Sequence, residues 1–168
     1  TAEDASRLIE IGAPEGRVAV GGNLKFDVPP PTSPTIVQQV RNALAQYAAG
    51  PVLVCCSTVD EEEESLLLGT FKKVLATYPS TVMLLAPRHP QRFEQAAELL
   101  ERLGIRFWRR SRWAGENLRG SVLLIDTIGE LAGLYALADV AFVGGSLVPR
   151  GGHNIIEPAQ HGVATLIG

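Results

Sequence analysis

The sequence is short of cysteine, of long apolar runs and of excess positive charge, and each shortage removes a class of protein. Its two cysteines, Cys55 and Cys56, are adjacent. On a strand, neighbouring side chains point to opposite faces, so the pair cannot easily form a bridge. There is neither a disulfide framework nor a zinc spacing. The longest apolar neighbourhood, Val122 to Val148, is interrupted by Asp126, Glu130 and Asp139. Nowhere do the ~18 to 20 uncharged residues of a membrane-spanning helix occur. Lys and Arg number 15 against 18 Asp and Glu, which argues against a nucleic-acid binder held by phosphate neutralisation. The N-terminus, Thr1-Ala2-Glu3-Asp4-Ala5-Ser6-Arg7, lacks the basic and then apolar order of a signal peptide.

What is present is a chain of 168 residues, 46% hydrophobic and 20% charged, with a formal charge of −3. That is close to one domain's worth of chain, with enough apolar residues for a sizeable core. It begins without Met and stops at Gly168 straight after an apolar run. Residues 1–168 therefore read as a single domain cut from a longer protein.

Short apolar runs recur between helical patterns. Val52-Leu53-Val54, Val82-Met83-Leu84-Leu85 and Val122-Leu123-Leu124-Ile125 are continuous rather than alternating, as in strands buried on both faces. Strands are predicted at 17–20, 52–56, 81–86, 105–108, 122–125, 140–143 and 164–167. Helices are predicted at 1–11, 36–48, 60–77, 91–103, 129–138 and around 155–160, and the proline-rich stretch 21–31 reads as a loop. The fold class is α/β, a Rossmann-like parallel sheet with helices on both faces. Glu61-Glu62-Glu63-Glu64 falls in a predicted first helical turn, where the macrodipole favours negative charge, and reads as a solvated helix start.

In such sheets ligands sit beyond the carboxyl ends of the strands, and three segments there carry unusual residues. Pro87-Arg88-His89-Pro90 fixes a turn that aims Arg88, whose forked donors suit a phosphate or carboxylate. Asp126-Thr127-Ile128-Gly129-Glu130-Leu131 contains a capping-box pattern, Thr127-x-x-Glu130, beside a glycine that admits close backbone approach. The third runs from Gly144 to Ala159, where two glycine pairs bracket a strand-to-helix loop holding Arg150, His153, Asn154 and Glu157. Those pairs suggest backbone N–H groups free for an anion, with Gly151, Gly152 and His153 as a phosphate loop. The segment has neither G-x-G-x-x-G nor a P-loop Lys. There is no Asp-x-Asp to hold a metal with a phosphate, and no metal site is expected.

At these residues the chain resembles the 3-deoxy-D-manno-octulosonic acid (Kdo) transferases of lipid A assembly. The phrases that carry the likeness are Gly22-Asn23-Leu24-Lys25-Phe26-Asp27, Pro87-Arg88-His89-Pro90, Asp126-Thr127 with Gly129-Glu130-Leu131, and Gly144 to Ala159. The resemblance implies the C-terminal half of a two-domain GT-B glycosyltransferase, the half that holds the donor CMP-Kdo. It implies nucleotide contacts from Pro87, Arg88, Ile128, Gly129, Glu130, Asn154, Ile155, Ile156 and Glu157. It also implies no cofactor, a metal-independent reaction and an acceptor, a lipid A precursor, bound by the N-terminal half. That half supplies the catalytic base, a glutamate, and works at the cytoplasmic face of the bacterial inner membrane. No catalytic residue is expected within residues 1–168. In two places the chain departs from the family pattern: Val59 and Glu61 stand where His and Gly are usual, and Ile128 replaces a common Met. Two other readings fit the same architecture: another GT-B sugar-nucleotide enzyme, such as a UDP-sugar transferase or epimerase, and a non-enzymatic nucleotide-binding domain.

Overall fold

The apolar runs become the strands of one parallel sheet. A computed structural model describes residues 1–22 and 35–168. The phrase from Asn23 to Asp27 and the prolines of the expected loop lie outside the described residues. In chain order the elements are α1 (Ala2–Glu10), α2 (Thr35–Gln46), β1 (Val52–Thr58), α3 (Glu61–Thr77), β2 (Val82–Pro87), α4 (Arg92–Arg102), β3 (Phe107–Arg109), β4 (Val122–Leu124), α5 (Leu131–Leu134), β5 (Val140–Val143), α6 (Ile156–Gln160) and β6 (Ala164–Leu166). The sheet order is β3-β4-β2-β1-β5-β6, and every described pairing is parallel.

Two apolar layers hold the helices to the sheet. One face joins Val54, Cys56, Leu84, Leu123 and Ala141 to Ile36, Val37 and Val40 of α2 and to Leu134 and Tyr135. The other joins Cys55, Met83, Leu85, Leu124 and Phe142 to Leu68 and Phe71 of α3 and to Ala96, Ala97 and Leu100 of α4. The alternation along β1, with Val54 and Cys56 on one side and Cys55 on the other, keeps the two thiols on opposite faces, both buried and free. Burial pushes the Cys55 thiol up to about 12 and the Cys56 thiol to about 11. Both remain protonated packing groups.

The helices change face where the chain changes direction across the sheet. From β1 the chain moves outward through β2 with α3 and α4 on one face. From β4 it crosses back over β2 and β1 to reach β5, so α5 lies on the opposite face, as a right-handed crossover requires. The strand order therefore reverses between β1 and β5. Loops leaving those two strands diverge to opposite faces and open a crevice at the carboxyl edge.

Two sequence expectations fail. Arg17–Val20 is not a strand: Glu15–Arg17 form a 3-10 turn, and Val18 is extended but belongs to none of the six strands. Extended angles make a strand only where a neighbouring ladder takes the backbone polar groups, and here the Arg17 and Val18 N–H groups donate back to Pro14 O and Glu15 O instead. The helix expected at 129–138 begins later, because Gly129 has φ +87° and cannot be helical. After α5 the chain tightens into a 3-10 turn, Tyr135–Leu137, and the Tyr135 hydroxyl donates to Cys56 Sγ at 2.9 Å. The N-terminal helix forms as expected, closed by a reciprocal Thr1–Asp4 capping box, although none of its residues is buried.

Candidate functional site

Four loops leave the carboxyl edge in the spatial order β4, β2, β1, β5, and they bring together most of the residues singled out in the sequence. Neighbouring strands lie about 4.8 Å apart, so the loops after β2 and β5, one on each side of β1, begin about 10 Å apart. After β2, Pro87 is buried and the Arg88 N–H donates to Thr58 O at 2.8 Å, which ties this turn to the end of β1. The Arg88 side chain is exposed, and its guanidinium has no protein partner among the described residues.

The β1–α3 connection is where the structure corrects the sequence reading most. Glu61 and Glu62 are exposed, but Glu63 and Glu64 are fully buried, so the acidic run is only half a solvated helix start. Asp60 caps α3 by accepting from the Glu63 N–H at 3.0 Å. Glu63 turns into the crevice between β1 and β5. Its Oε2 accepts from the N–H groups of Val59 at 3.1 Å and Gly145 at 3.0 Å, and its Oε1 from those of Ser146 and Leu147, both at 3.3 Å. Glu64 turns the other way, accepting from Thr58 Oγ1 at 3.1 Å and pairing with Arg92 at 2.5 Å. Burial raises the Glu64 pKa, and Arg92 and Thr58 offset part of that rise. Val59, which stands where the family has His, enters this arrangement through its backbone alone.

The glycine-rich loop is thus built differently from the sequence expectation. The N–H groups after the first glycine pair are not open to a ligand, because an internal carboxylate already holds them. Gly144 is glycine for a steric reason: a Cβ there would lie 2.6 Å from Ser57 O and 2.8 Å from Glu63 Oε2. Ser57 itself has φ +57° at a bulge in β1, a left-handed angle uncommon for serine, in the crevice where function concentrates such strain. Gly145, at φ +74°, clears His153, whose Nε2 would sit 2.9 Å from an added Cβ. His153 Nε2 is buried and has no hydrogen-bond partner among the described residues.

Beyond the clamp the loop folds back, with Gly152 N–H donating to Gly145 O at 2.7 Å. The N–H groups of His153, Asn154 and Ile155 have no acceptor among the described residues. His153 and Ile155 border a cleft of about 490 Å³ lined also by Gly145, Ser146, Val148 and Gly151. Asn154 and Glu157 do not form a capping box. Its Oδ1 accepts from the Ile156 N–H at 3.1 Å and its Nδ2 donates to Glu157 Oε1 at 3.3 Å. Glu157 Oε2 has no partner among the described residues. Ile155 is exposed at 46%, and Pro158 is tolerated inside α6 because the first turn lacks acceptors for its missing N–H.

The β4 turn departs from its expected box as well. Glu130 is the N-cap of α5 but makes no side-chain cap. Its Oε1 accepts from Arg110 at 2.9 Å and its Oε2 from the Thr127 hydroxyl. Both oxygens are therefore engaged, and Ile128, exposed at 81%, and the exposed Gly129 are what this turn presents outward. Asp126 accepts from Ser111 N–H, Ser111 Oγ and Arg109 at 2.7, 2.6 and 2.9 Å. Burial works against its charge, but these bonds outweigh it and hold its pKa below the usual carboxylate value. The turns of α5 and α6 share one face of the sheet, where the Tyr135 and His161 rings lie 6.3 Å apart. His161 thus packs outside the cleft. Among the described residues no group of three or more His, Cys, Asp or Glu is placed to hold a metal, and no helix is long and apolar enough to cross a membrane.

No family model matches the chain, but individual relatives do. It is 40% identical over 171 residues to the 3-deoxy-D-manno-octulosonic acid transferase of Bordetella pertussis, covering 100% of this chain and 39% of the relative. It is 35% identical over 163 residues to that of Haemophilus influenzae, covering 96% and 38%. To that of Aquifex aeolicus it is 33% identical over 168 residues, covering 100% and 42%. The chain spans about two fifths of the length of these curated relatives. Among solved structures it resembles the C-terminal CMP-Kdo binding domain of WaaA from Acinetobacter baumannii, with a TM-score of 0.66 and 36% identity over 77% of this chain and 68% of that one. The phrases after β2, β4 and β5, the parallel sheet that carries them and these likenesses agree: the chain belongs to the 3-deoxy-D-manno-octulosonic acid transferase family.

Proposed function

We propose that residues 1–168 form the donor domain of a Kdo transferase, binding CMP-Kdo at the carboxyl edge of the sheet. The observation that carries this reading is the set of unsatisfied groups on the loops that leave this edge. The Arg88 guanidinium, the N–H groups of His153 to Ile155 and one oxygen of Glu157 are without partners among the described residues, while the carboxylates of Glu63, Glu64, Asp126 and Glu130 are engaged. Donors suited to a phosphate and an acceptor suited to ribose hydroxyls are what a nucleoside monophosphate needs. The name of the Acinetobacter baumannii relative supports the same ligand.

In this reading Arg88 and the 153–155 amides, with Gly151 and Gly152 shaping the loop, hold the CMP phosphate. Glu157 accepts from the ribose, Asn154 orients Glu157, and the backbone of Ile128 and Gly129 borders the base, with Glu130 and Pro87 fixing their turns. Transfer breaks the bond between the anomeric carbon of Kdo and a phosphate oxygen, so negative charge grows on CMP as it leaves. Donors already aimed at that phosphate stabilise the departing charge without reorganisation. A glutamate outside this chain, on the half of the family's architecture that receives the lipid A precursor, removes the acceptor proton. The assembled enzyme works where that lipid acceptor lies, at the cytoplasmic face of the inner membrane, with no cofactor or metal required.

Calorimetric titration with CMP, UMP and cytidine tests this reading. CMP is expected to bind more tightly than UMP, and Arg88→Ala to weaken CMP about tenfold while leaving cytidine nearly unchanged, since a hydrogen bond to a charged group carries roughly 1.5–3 kcal/mol. Equal binding of UMP and CMP would point to a UDP-sugar enzyme instead.

A further inference from the structure

Glu63 is buried in the crevice where the strand order reverses, the place at which α/β sheets ordinarily receive a ligand. It is closed off from any ligand, because its two oxygens are already used by four backbone N–H groups: one from its own β1–α3 connection and three, of Gly145, Ser146 and Leu147, from the loop after β5. The side chain therefore acts as an internal anion that joins the two loops bordering the crevice. Gly144 and Ser57 pack against it closely enough that no Cβ fits at Gly144. From the clamped segment, the Gly152 N–H to Gly145 O bond carries the position on to the open amides of His153, Asn154 and Ile155.

We propose that Glu63 is a positioning residue for the phosphate-binding segment, holding Gly145–Leu147 so that the 153–155 amides face the donor phosphate; this rests on the CMP-binding reading above. A carboxylate suits the task because the backbone at this place presents only donors. A Gln at the same position would meet one pair of N–H groups with its own NH₂, and the loop would have to move away. Loop displacement affects the phosphate while leaving the base and ribose contacts on other segments in place.

The test uses the intact protein, with Glu63→Gln and, as a control, Glu61→Gln. The control removes the same charge from the same helical turn at an exposed residue paired with Arg102. Affinities for CMP and cytidine are measured by calorimetry, and amide hydrogen exchange is followed at residues 145–147 and 153–155. Glu63→Gln is expected to lower CMP affinity about tenfold, the equivalent of one charge-assisted hydrogen bond, with cytidine affinity nearly unchanged and exchange faster at both segments. Glu61→Gln is expected to match the parent. A general loss of stability would weaken both ligands alike, so an unchanged CMP-to-cytidine ratio in a folded Glu63→Gln protein overturns the proposal. If the parent itself fails to bind CMP, the functional reading falls separately. Exchange then decides the positioning: faster exchange at 153–155 supports it, and unchanged exchange there overturns it. Where Glu63→Gln does not fold, Glu63→Asp keeps the charge but falls one methylene short of the loop, and the same ratio and exchange criteria apply to it.

Discussion

What a carboxylate can offer a ligand depends on what its oxygens already hold. Glu130 and Glu157 occupy comparable places in the sequence, each following a strand and a turn, yet Glu130 has both oxygens engaged by Arg110 and Thr127. Glu157 has one engaged by Asn154. Glu157 therefore keeps a whole oxygen open to a ribose, whereas each oxygen of Glu130 already accepts one bond. Glu157→Gln keeps the length of the side chain and an oxygen for Asn154 but loses the charge, and charge-assisted bonds are roughly twice as strong as neutral ones. The variant is expected to melt close to the parent, to lose about tenfold in CMP affinity, and to lose less for 2′,3′-dideoxy-CMP. Equal affinity of parent and variant for CMP, read by calorimetry, would leave Glu157 as a purely local partner of Asn154.

At the scale of the elements, the loop after β5 is shaped as much by what must fit against it as by what it binds. Gly144→Ala places a Cβ 2.6 Å from the Ser57 carbonyl oxygen, and overpacking of this kind costs roughly 1–3 kcal/mol. For a chain of this size each kcal/mol lowers the melting temperature by about 2–4 °C. Gly69, inside α3 with open space around its Cα, behaves oppositely: Gly69→Ala is expected to raise the melting temperature, because Ala favours a helix interior by up to about 1 kcal/mol. A calorimetric scan of the two variants checks both signs. The sequence showed that glycine pairs were needed here but not why. It suggested free N–H groups, whereas the first pair is required by a carboxylate 82 residues away in the chain. Contacts of that range leave no local pattern, so Glu63 and Glu64 looked like two more members of a solvated acidic run. The strands were legible because double burial makes a strand uniformly apolar, and Gly129 was legible as a place of close backbone approach, though it was put inside the helix. Its consequence, a helix starting two residues late, followed from a backbone angle that the apolar periodicity does not record. Arg17 to Val20 reads as a strand from composition alone, and pairing is the one property of a strand that composition does not contain.

For the whole molecule, the sheet order decides which function a single domain can perform. The reversal between β1 and β5 gives one crevice edge with donors for a phosphate and, on the adjoining face, an acceptor for a sugar hydroxyl. In the proposed reading those groups hold a donor and stabilise its leaving group. Deprotonating an acceptor hydroxyl needs a further carboxylate close to the Kdo anomeric carbon, and the buried carboxylates of this edge are committed: Glu63 to loop amides, Glu64 to Arg92, Asp126 to Arg109 and Ser111. The relatives are about two and a half times as long as this chain, which spans 38 to 42% of their length. Donor binding and acceptor activation are therefore expected to separate in the test tube. The purified 168-residue chain should bind CMP, show protection of the 153–155 amides on binding, and transfer no Kdo from CMP-Kdo to a lipid A precursor. Adding the remaining part of the enzyme should restore transfer, and Arg88→Ala in the reassembled protein should slow it, since the same guanidinium then faces the departing phosphate. Transfer by the chain alone would mean that a base lies within these residues, and Glu157, with its one free oxygen, would be the first to examine.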